Sequence, residues 1–473
     1  MSRSSRLLSN TMVFTAGKFI SKLLVFIMTR FYTACLSPSE YSAADLIANM
    51  ANLLIPLACL GITEGIFRSA AAREGNKEAF FTNGLFVLGV GSVAFLCLSP
   101  LLGLIPFFTG TAWLIALYVL MSNFHSVVSQ YLCAVGRTKL FAGQGILNTA
   151  LTIVFNLIFL LVLGMGVTGY VLSIILADAV TTLFLILYSR LWRAVKPRTV
   201  SWKIIRPMLA FCLPLVPTTI FWWITGVSDR YMVTAMCSSD MNGLYTAAYK
   251  IPTLLIYAVG IFDSAWKLSV SGEADDEEGC RRFYSSVWRV YTTVAFLGGA
   301  GLMITSPLFA RLLFATGYEG AWIYIPVLTA ATVYTALDTF LGSVYFARKR
   351  TMWSMITALV GAGANVVLNL LLIPEWGAMG ASIATLASYL AVCILRLVTT
   401  YRLIRFDREL GRVAVNTLLL SGMTASVTLT TVYDPRVMWG VSIALVAAML
   451  AVNLRAVRDL LLSTKRMLTG RGN

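Results

Sequence analysis

The sequence predicts an all-α polytopic membrane protein of about 14 transmembrane helices, built as two pseudo-symmetric six-helix lobes plus two extra C-terminal helices. Three observations lead there. Hydrophobic residues make up 58% of the 473 and charged residues 12%, with a mean hydropathy of +0.80. That is more apolar side chain than a water-soluble core of this length could bury. Apolar runs of about 20 residues, separated by short polar turns, recur along the whole chain. A set of short motifs also returns roughly 210 residues later in the same order.

The predicted spans cover about 10–35, 41–67, 79–99, 111–133, 140–163, 168–189, 207–231, 244–267, 283–305, 320–346, 352–373, 378–401, 413–432 and 437–454. Strand-like alternation is absent, which argues against a barrel. The first run carries Lys18 and Lys22 and lacks a small-residue cleavage pattern at its end, so it reads as a retained span rather than a signal peptide. An even number of crossings puts both ends on one side. Lys and Arg fall overwhelmingly on that side, with Arg311 and Arg436 on the other, so the positive-inside rule places both termini in the cytoplasm.

The repeat divides the chain further. Ser99-Pro100-Leu101, Thr109-Gly110 and Ala112-Trp113 are echoed by Ser306-Pro307-Leu308, Thr316-Gly317 and Ala321-Trp322; Arg137-Thr138, Asn156, Gly166 and Gly169 are echoed by Arg350-Thr351, Asn369, Gly377 and Gly380. The reading is an N-terminal lobe over 1–190, a basic cytoplasmic linker over 191–206, a C-terminal lobe over 207–402, and two added helices with a basic tail over 403–473. Each lobe holds an even number of crossings, so the repeats are parallel. Such duplication in an apolar chain points to a transporter with its binding site between the lobes, and a receptor or lone membrane enzyme has no need of it.

The same asymmetry of Lys and Arg explains the net charge of +16: Arg190, Arg193, Lys196, Arg198, Lys203 and Arg206 crowd the stretch between spans six and seven, where a basic cluster is drawn to anionic headgroups. Nucleic acid is a poor partner for it. The acidic run Glu273–Glu278 is read as a solvated loop. The eight cysteines show no Cys-x-x-Cys spacing, so no metal site and no cofactor is expected; Cys35 and Cys237 occupy equivalent outer loops, where a disulfide has weak support. No Gly-x4-Gly-Lys-Ser/Thr loop is present, which disfavours ATP hydrolysis.

Five cations lie at predicted hydrocarbon depth: Lys18, Lys22 and Arg30 in span one, Arg230 in span seven and Lys250 in span eight. Each costs at least ~2.5–3.5 kcal/mol on insertion scales, so each should face a watery cavity or a partner. Lys18, Lys22 and Arg30 share one helix face, and Arg30 and Arg230 occupy equivalent positions in Thr29-Arg-Phe-Tyr32 and Asp229-Arg-Tyr-Met232. One reading is a central cavity for an anion, with a lipid-linked pyrophosphate fitting best. The other is that Lys18 and Arg30 snorkel while Arg230 pairs with Asp229 or Asp45. Both stand at this stage.

Embedded acids are fewer, with Asp45 and Asp338 the candidates for ion coupling beside Asp178 and Asp229. Glu64 with Arg68, and Asp263 with Lys267, have the four-residue spacing of ion pairs and are expected to hold the cytoplasmic face. His125 is expected to be a helix–helix hydrogen-bond partner rather than a proton relay. Pro214 and Pro217 should break span seven and serve as a hinge.

Gly17-Lys18, Leu36-Ser-Pro-Ser-Glu-Tyr41, Leu60-Gly-Ile-Thr-Glu64, Ser228-Asp-Arg-Tyr231, Gly243–Pro252 and the G-x-x-G turns resemble bacterial polysaccharide flippases. These belong to the multidrug/oligosaccharidyl-lipid/polysaccharide (MOP) exporter superfamily. The resemblance runs through the first twelve spans. It implies a V-shaped pair of six-helix bundles in the bacterial cytoplasmic membrane that carries an undecaprenyl-diphosphate-linked oligosaccharide to the outer leaflet by alternating access. The basic residues Lys18, Lys22, Arg30, Arg230 and Lys250 correspond in kind to that family's cavity cations. On this reading the chain is not an enzyme, and its partners are the lipid-linked cargo, membrane lipids and polysaccharide polymerase machinery. A lipid II flippase and an ion-coupled multidrug or cation antiporter are the alternatives; the scarcity of cavity acids disfavours the second. A membrane glycosyltransferase or polymerase would need a long catalytic outer loop, and no predicted outer loop is long enough.

Overall fold

The computed structural model describes residue 24 and residues 26–71, 76–260, 277–348 and 350–468, and every regular element among them is helical. The chain forms two compact units, Met1–Tyr231 and Met232–Asn473. Among the described residues nine helical segments are long and apolar enough to cross a bilayer, and one bent pair adds a tenth. One of the nine, Met352–Tyr401, is divided by a kink. The protein is therefore an all-α, multi-pass membrane protein, and each of predicted spans two to fourteen meets helix in the structure.

The first unit begins with α1 over residues 26–35, then α2 (Pro38–Ala58), α3 (Ile62–Ala71), α4 (Lys77–Leu98), α5 (Ala112–Ala134), α6 (Thr138–Asn156), α7 (Gly166–Ser189) and α8 (Trp202–Cys212); the unit boundary falls inside α9 (Leu215–Met236). Ser37 and Glu40 close a capping box at the start of α2, with Pro38 in the first turn where its missing N–H is harmless. Span two is predicted as one helix, but the structure bends it by 58° between α2 and α3. Leu60 (φ 52°) and Gly61 (φ 66°) both turn left-handed, and the Gly61 N–H donates to the Pro56 carbonyl at 2.8 Å, a Schellman-like stop. The linker is pinned to α4: Thr82 and Asn83 bond the backbone of Ala194, Lys196, Thr199 and Ser201 over 2.8–3.2 Å, and Lys196 pairs with Glu78.

The second unit holds α10 (Ser239–Tyr249), α11 over residues 253–260, α12 (Glu277–Ile304), α13 (Ser306–Leu313), α14 (Ile325–Ala347), α15 (Thr351–Tyr401), α16 (Leu410–Leu429) and α17 (Pro435–Leu468). Glu277 and Glu278, read as loop, open α12. The core lies between α12, α14 and α16, where Trp288, Tyr291, Phe340 and Phe406 are packed ring against ring. The two added helices dock on α12 through Arg412, which donates to Glu409, Thr293, Asn453 and Thr292 at 2.6 Å each.

The sequence repeat is a structural one. Gly110 and Gly317 are both left-handed (φ 80° and 95°) ahead of α5 and α14. Arg137 and Arg350 precede α6 and α15 with ψ 51° in each. Asn156, the last residue of α6, and Asn369 in α15 are both fully buried, and Gly166 and Gly377 take φ 53° and 56°. Three residues on, a Cβ on Gly169 would sit 2.9 Å from that of Met165, and on Gly380 2.3 Å from the Leu372 carbonyl oxygen. The second glycine of each G-x-x-G turn thus lets one span pack on the end of the one before it.

Candidate functional site

Of the five candidate cations, Lys18 and Lys22 lie outside the described residues, as do Asp263 and Lys267 of the expected cytoplasmic pairs. Arg30 is exposed on α1. Lys250 is half-buried and closes α10, with its N–H on the Ala247 carbonyl at 3.1 Å and its own carbonyl accepting from Thr253.

Arg230 is the most constrained of the three described cations. Its Nη1 donates to Asp45 Oδ2 at 2.6 Å, and the two side chains are 12% and 11% exposed. Asn49 Nδ2 adds a second bond to the same carboxylate oxygen at 2.8 Å. Asp229 accepts from the Arg230 backbone N–H at 2.9 Å. The flanking residues fix the register: Tyr231 OH donates to the Leu46 carbonyl at 2.7 Å and Trp223 Nε1 to the Asn49 carbonyl at 2.9 Å. Residues 223–231 of α9 are in this way tied to α2, within the first unit rather than the second lobe.

A second polar centre sits inside the first unit. Asp178 on α7 accepts from Ser122 of α5 and, at 2.8 Å, from Asn148 of α6. His125 lies between Asp178 (3.3 Å) and Gln144 (2.7 Å). His125 therefore bridges helices, as expected for a lone membrane histidine. The convergence of Ser122 and Asn148 on Asp178, and of Gln144 on His125, is not legible in the sequence beyond their polarity in apolar runs.

Asp338 on α14 is 5% exposed, and neither carboxylate oxygen has a hydrogen-bond partner among the described residues. Arg396, 3% exposed, reaches the Asp338 backbone carbonyl at 2.6 Å and Thr357 Oγ1 at 3.1 Å instead. Arg396 sits near the end of a predicted span, where snorkelling is the ordinary expectation; the structure buries it.

The expected Glu64–Arg68 pair does not form. Both side chains are exposed on α3, and Arg68 lays its guanidinium over the Phe211 ring at 4.1 Å, a cation–π contact that replaces the ion pair. Pro214 lies in the break between α8 and α9, and Pro217 in the first turn of α9, where proline is tolerated. Cys35 and Cys237 are free thiols. Among the described residues no cluster of His, Cys, Asp or Glu could hold a metal ion.

Two family comparisons divide the chain between them. The polysaccharide biosynthesis protein family matches residues 7–266, more than half of the sequence. The chain belongs to that family. The lipid II flippase MurJ family matches residues 268–449, which follow directly on the first match. No curated protein sequence matches the chain.

Solved structures agree on the fold. A lipid II flippase MurJ in an inward closed conformation superposes with a TM-score of 0.70 at 14% identity, covering 95% of this chain and 100% of the other. An inward-facing multidrug resistance MATE family transporter of the MOP superfamily gives 0.67 at 17% identity, over 81% and 94%. A MOP superfamily transporter from Pyrococcus furiosus Vc1, described by the reverse polarity of its binding pocket, gives 0.61 at 16% identity, over 85% and 95%. The chain is thus a polysaccharide biosynthesis family member whose fold is shared with MurJ and with transporters of the MOP superfamily.

Proposed function

We propose that this chain is a flippase that translocates an undecaprenyl-diphosphate-linked oligosaccharide from the cytoplasmic to the outer leaflet of the cytoplasmic membrane, by alternating access with both termini cytoplasmic. The observation that carries the reading is the pairing of a polysaccharide biosynthesis match over 7–266 with a lipid II flippase match over 268–449. Both names belong to assembly of cell-envelope saccharides. The cations Lys18, Lys22, Arg30, Arg230 and Lys250 suit a diphosphate, because ammonium and guanidinium groups bind phosphate oxygens through charge-assisted hydrogen bonds. Within that set Arg230 has a built-in competitor in Asp45, so its engagement with cargo is an exchange of carboxylate for phosphate. Outward movement of an anionic headgroup releases about 2.3 kcal/mol per charge per 100 mV of inside-negative potential. A buried carboxyl such as Asp338, without hydrogen-bond partners among the described residues, is the candidate carrier of a coupling proton or cation.

The test uses vesicles reconstituted with the full chain and a labelled lipid-diphospho-oligosaccharide. Expected is protein-dependent translocation that is lost in Lys22→Ala; rates equal to protein-free vesicles refute the function, and equal rates in wild type and variant refute the residue's role. A lipid II flippase is the second reading, favoured by the match over 268–449. Comparing lipid II with a polysaccharide repeat unit in the same vesicles separates the two.

A further inference from the structure

The connection between α15 and α16 roofs a cleft of 910 Å³ on the flank of the second unit. Three arginines line it: Arg402 and Arg405, both exposed, and Arg408, only 7% exposed. Arg408 Nη1 donates to the Leu397 carbonyl. Its Nε and Nη2 are buried and have no hydrogen-bond partner among the described residues. Tyr401 and Phe406 hold the guanidinium from the side, their ring centres 4.7 and 5.2 Å away. The loop backbone is fixed as well, since Trp288 Nε1 donates to the Arg408 carbonyl at 2.8 Å and the Asp407 N–H to Ser285 Oγ at 2.8 Å.

Acids in the lining do not answer this charge. Glu409 is taken by Arg289 and by Arg412. Asp407 accepts from the Glu409 N–H at 2.9 Å, and no ion pair joins it to Arg408 among the described residues. Burial lowers the Arg408 guanidinium to about 10. A buried cation whose N–H groups find no acceptor is expensive, and a phosphate oxygen supplies what the protein leaves out. The wall below the arginines is apolar and outward-facing: Ile394 is 54% and Val398 56% exposed, one turn apart on α15.

We propose that this cleft is a headgroup site for a resident anionic phospholipid, its phosphate on Arg408 with Arg402 and Arg405 at the rim and one acyl chain along Ile394 and Val398. Charge complementarity and the adjoining apolar wall favour a lipid over free phosphate. The loop also lies on the side that the positive-inside rule assigns to the cytoplasm, the leaflet rich in anionic lipid. The site is independent of which cargo is flipped, so the transport assays above and the lipid assay below fail separately.

The test is native mass spectrometry of the purified full-length protein in mild detergent, titrated with phosphatidylglycerol or phosphatidylcholine. Expected is retention of phosphatidylglycerol over phosphatidylcholine. Arg408→Gln should weaken it at least roughly tenfold, the loss of a charged hydrogen-bond donor. Arg402→Gln/Arg405→Gln alters only exposed side chains and should weaken it roughly fivefold per charge. If Arg408→Gln does not fold, as read by far-UV circular dichroism and melting, the exposed double variant decides. Equal binding of phosphatidylcholine, or unchanged affinity in the folded variants, overturns the proposal. Displacement by millimolar inorganic phosphate would make it a free-anion site, and displacement by equimolar undecaprenyl diphosphate a cargo site; either overturns the resident lipid.

Discussion

The Asp45–Arg230 pair offers the sharpest test of how a desolvated cation is kept in this protein. With charge centres about 4 Å apart at an effective dielectric of about 20, the attraction is about 4 kcal/mol. Desolvation of two side chains that are only 11% and 12% exposed offsets part of it. We expect Asp45→Asn or Arg230→Gln alone to cost about 3 kcal/mol, because each strands the other partner. The double variant should cost no more than either single change, about 3 kcal/mol rather than the additive sum of about 6, giving a coupling energy of about 3 kcal/mol. The assay is equilibrium unfolding of the four proteins by sodium dodecyl sulfate in mixed micelles, followed by circular dichroism. Additive single losses, with coupling below about 0.5 kcal/mol, would show that the 2.6 Å contact carries no net energy and refute the reasoning. In vesicles, Asp45→Asn removes the competitor for Arg230, so cargo should bind tighter while release slows; unchanged affinity would remove Arg230 from the phosphate site.

Three further outcomes follow from the geometry. Gly380→Ala places a methyl 2.3 Å from the Leu372 carbonyl oxygen, so the helix end must move and stability should fall by about 2 kcal/mol or more, whereas Gly363→Ala meets open space and should be neutral or stabilising by up to about 1 kcal/mol; both are read by melting in detergent. Asp178→Ala strands Ser122 and Asn148 and should cost about 2–5 kcal/mol, with Asp178→Asn losing less, measured by the same unfolding titration. On a background without native cysteines, a membrane-impermeant maleimide should label Arg436→Cys in intact cells and Arg198→Cys only after permeabilisation; the reverse pattern would overturn the assigned orientation.

The helical spans were legible because each rests on a local requirement: about 20 apolar residues reach across a bilayer whatever they pack against. The repeat was legible for a related reason. Gly166 and Gly377 are needed for a left-handed turn, and Gly169 and Gly380 for close approach, so the same letters return at the same places. The bend between α2 and α3 was less so, since Leu60 takes a left-handed conformation that its side chain disfavours, under a stop set by the Pro56 carbonyl.

The sequence by itself determined the membrane-spanning helices, their order and their duplication, because hydropathy and backbone conformation are properties of neighbouring residues. Only the tertiary structure decided which charges answer one another. Asp45 and Arg230 stand 185 residues apart, Asn148 and Asp178 thirty, and Trp288 reaches 120 residues along the chain to hold the loop bearing Arg408. In a low-dielectric interior the state of an ionisable side chain is set by partners within a few ångströms, and no spacing in the primary structure reveals which distant helix will bring them.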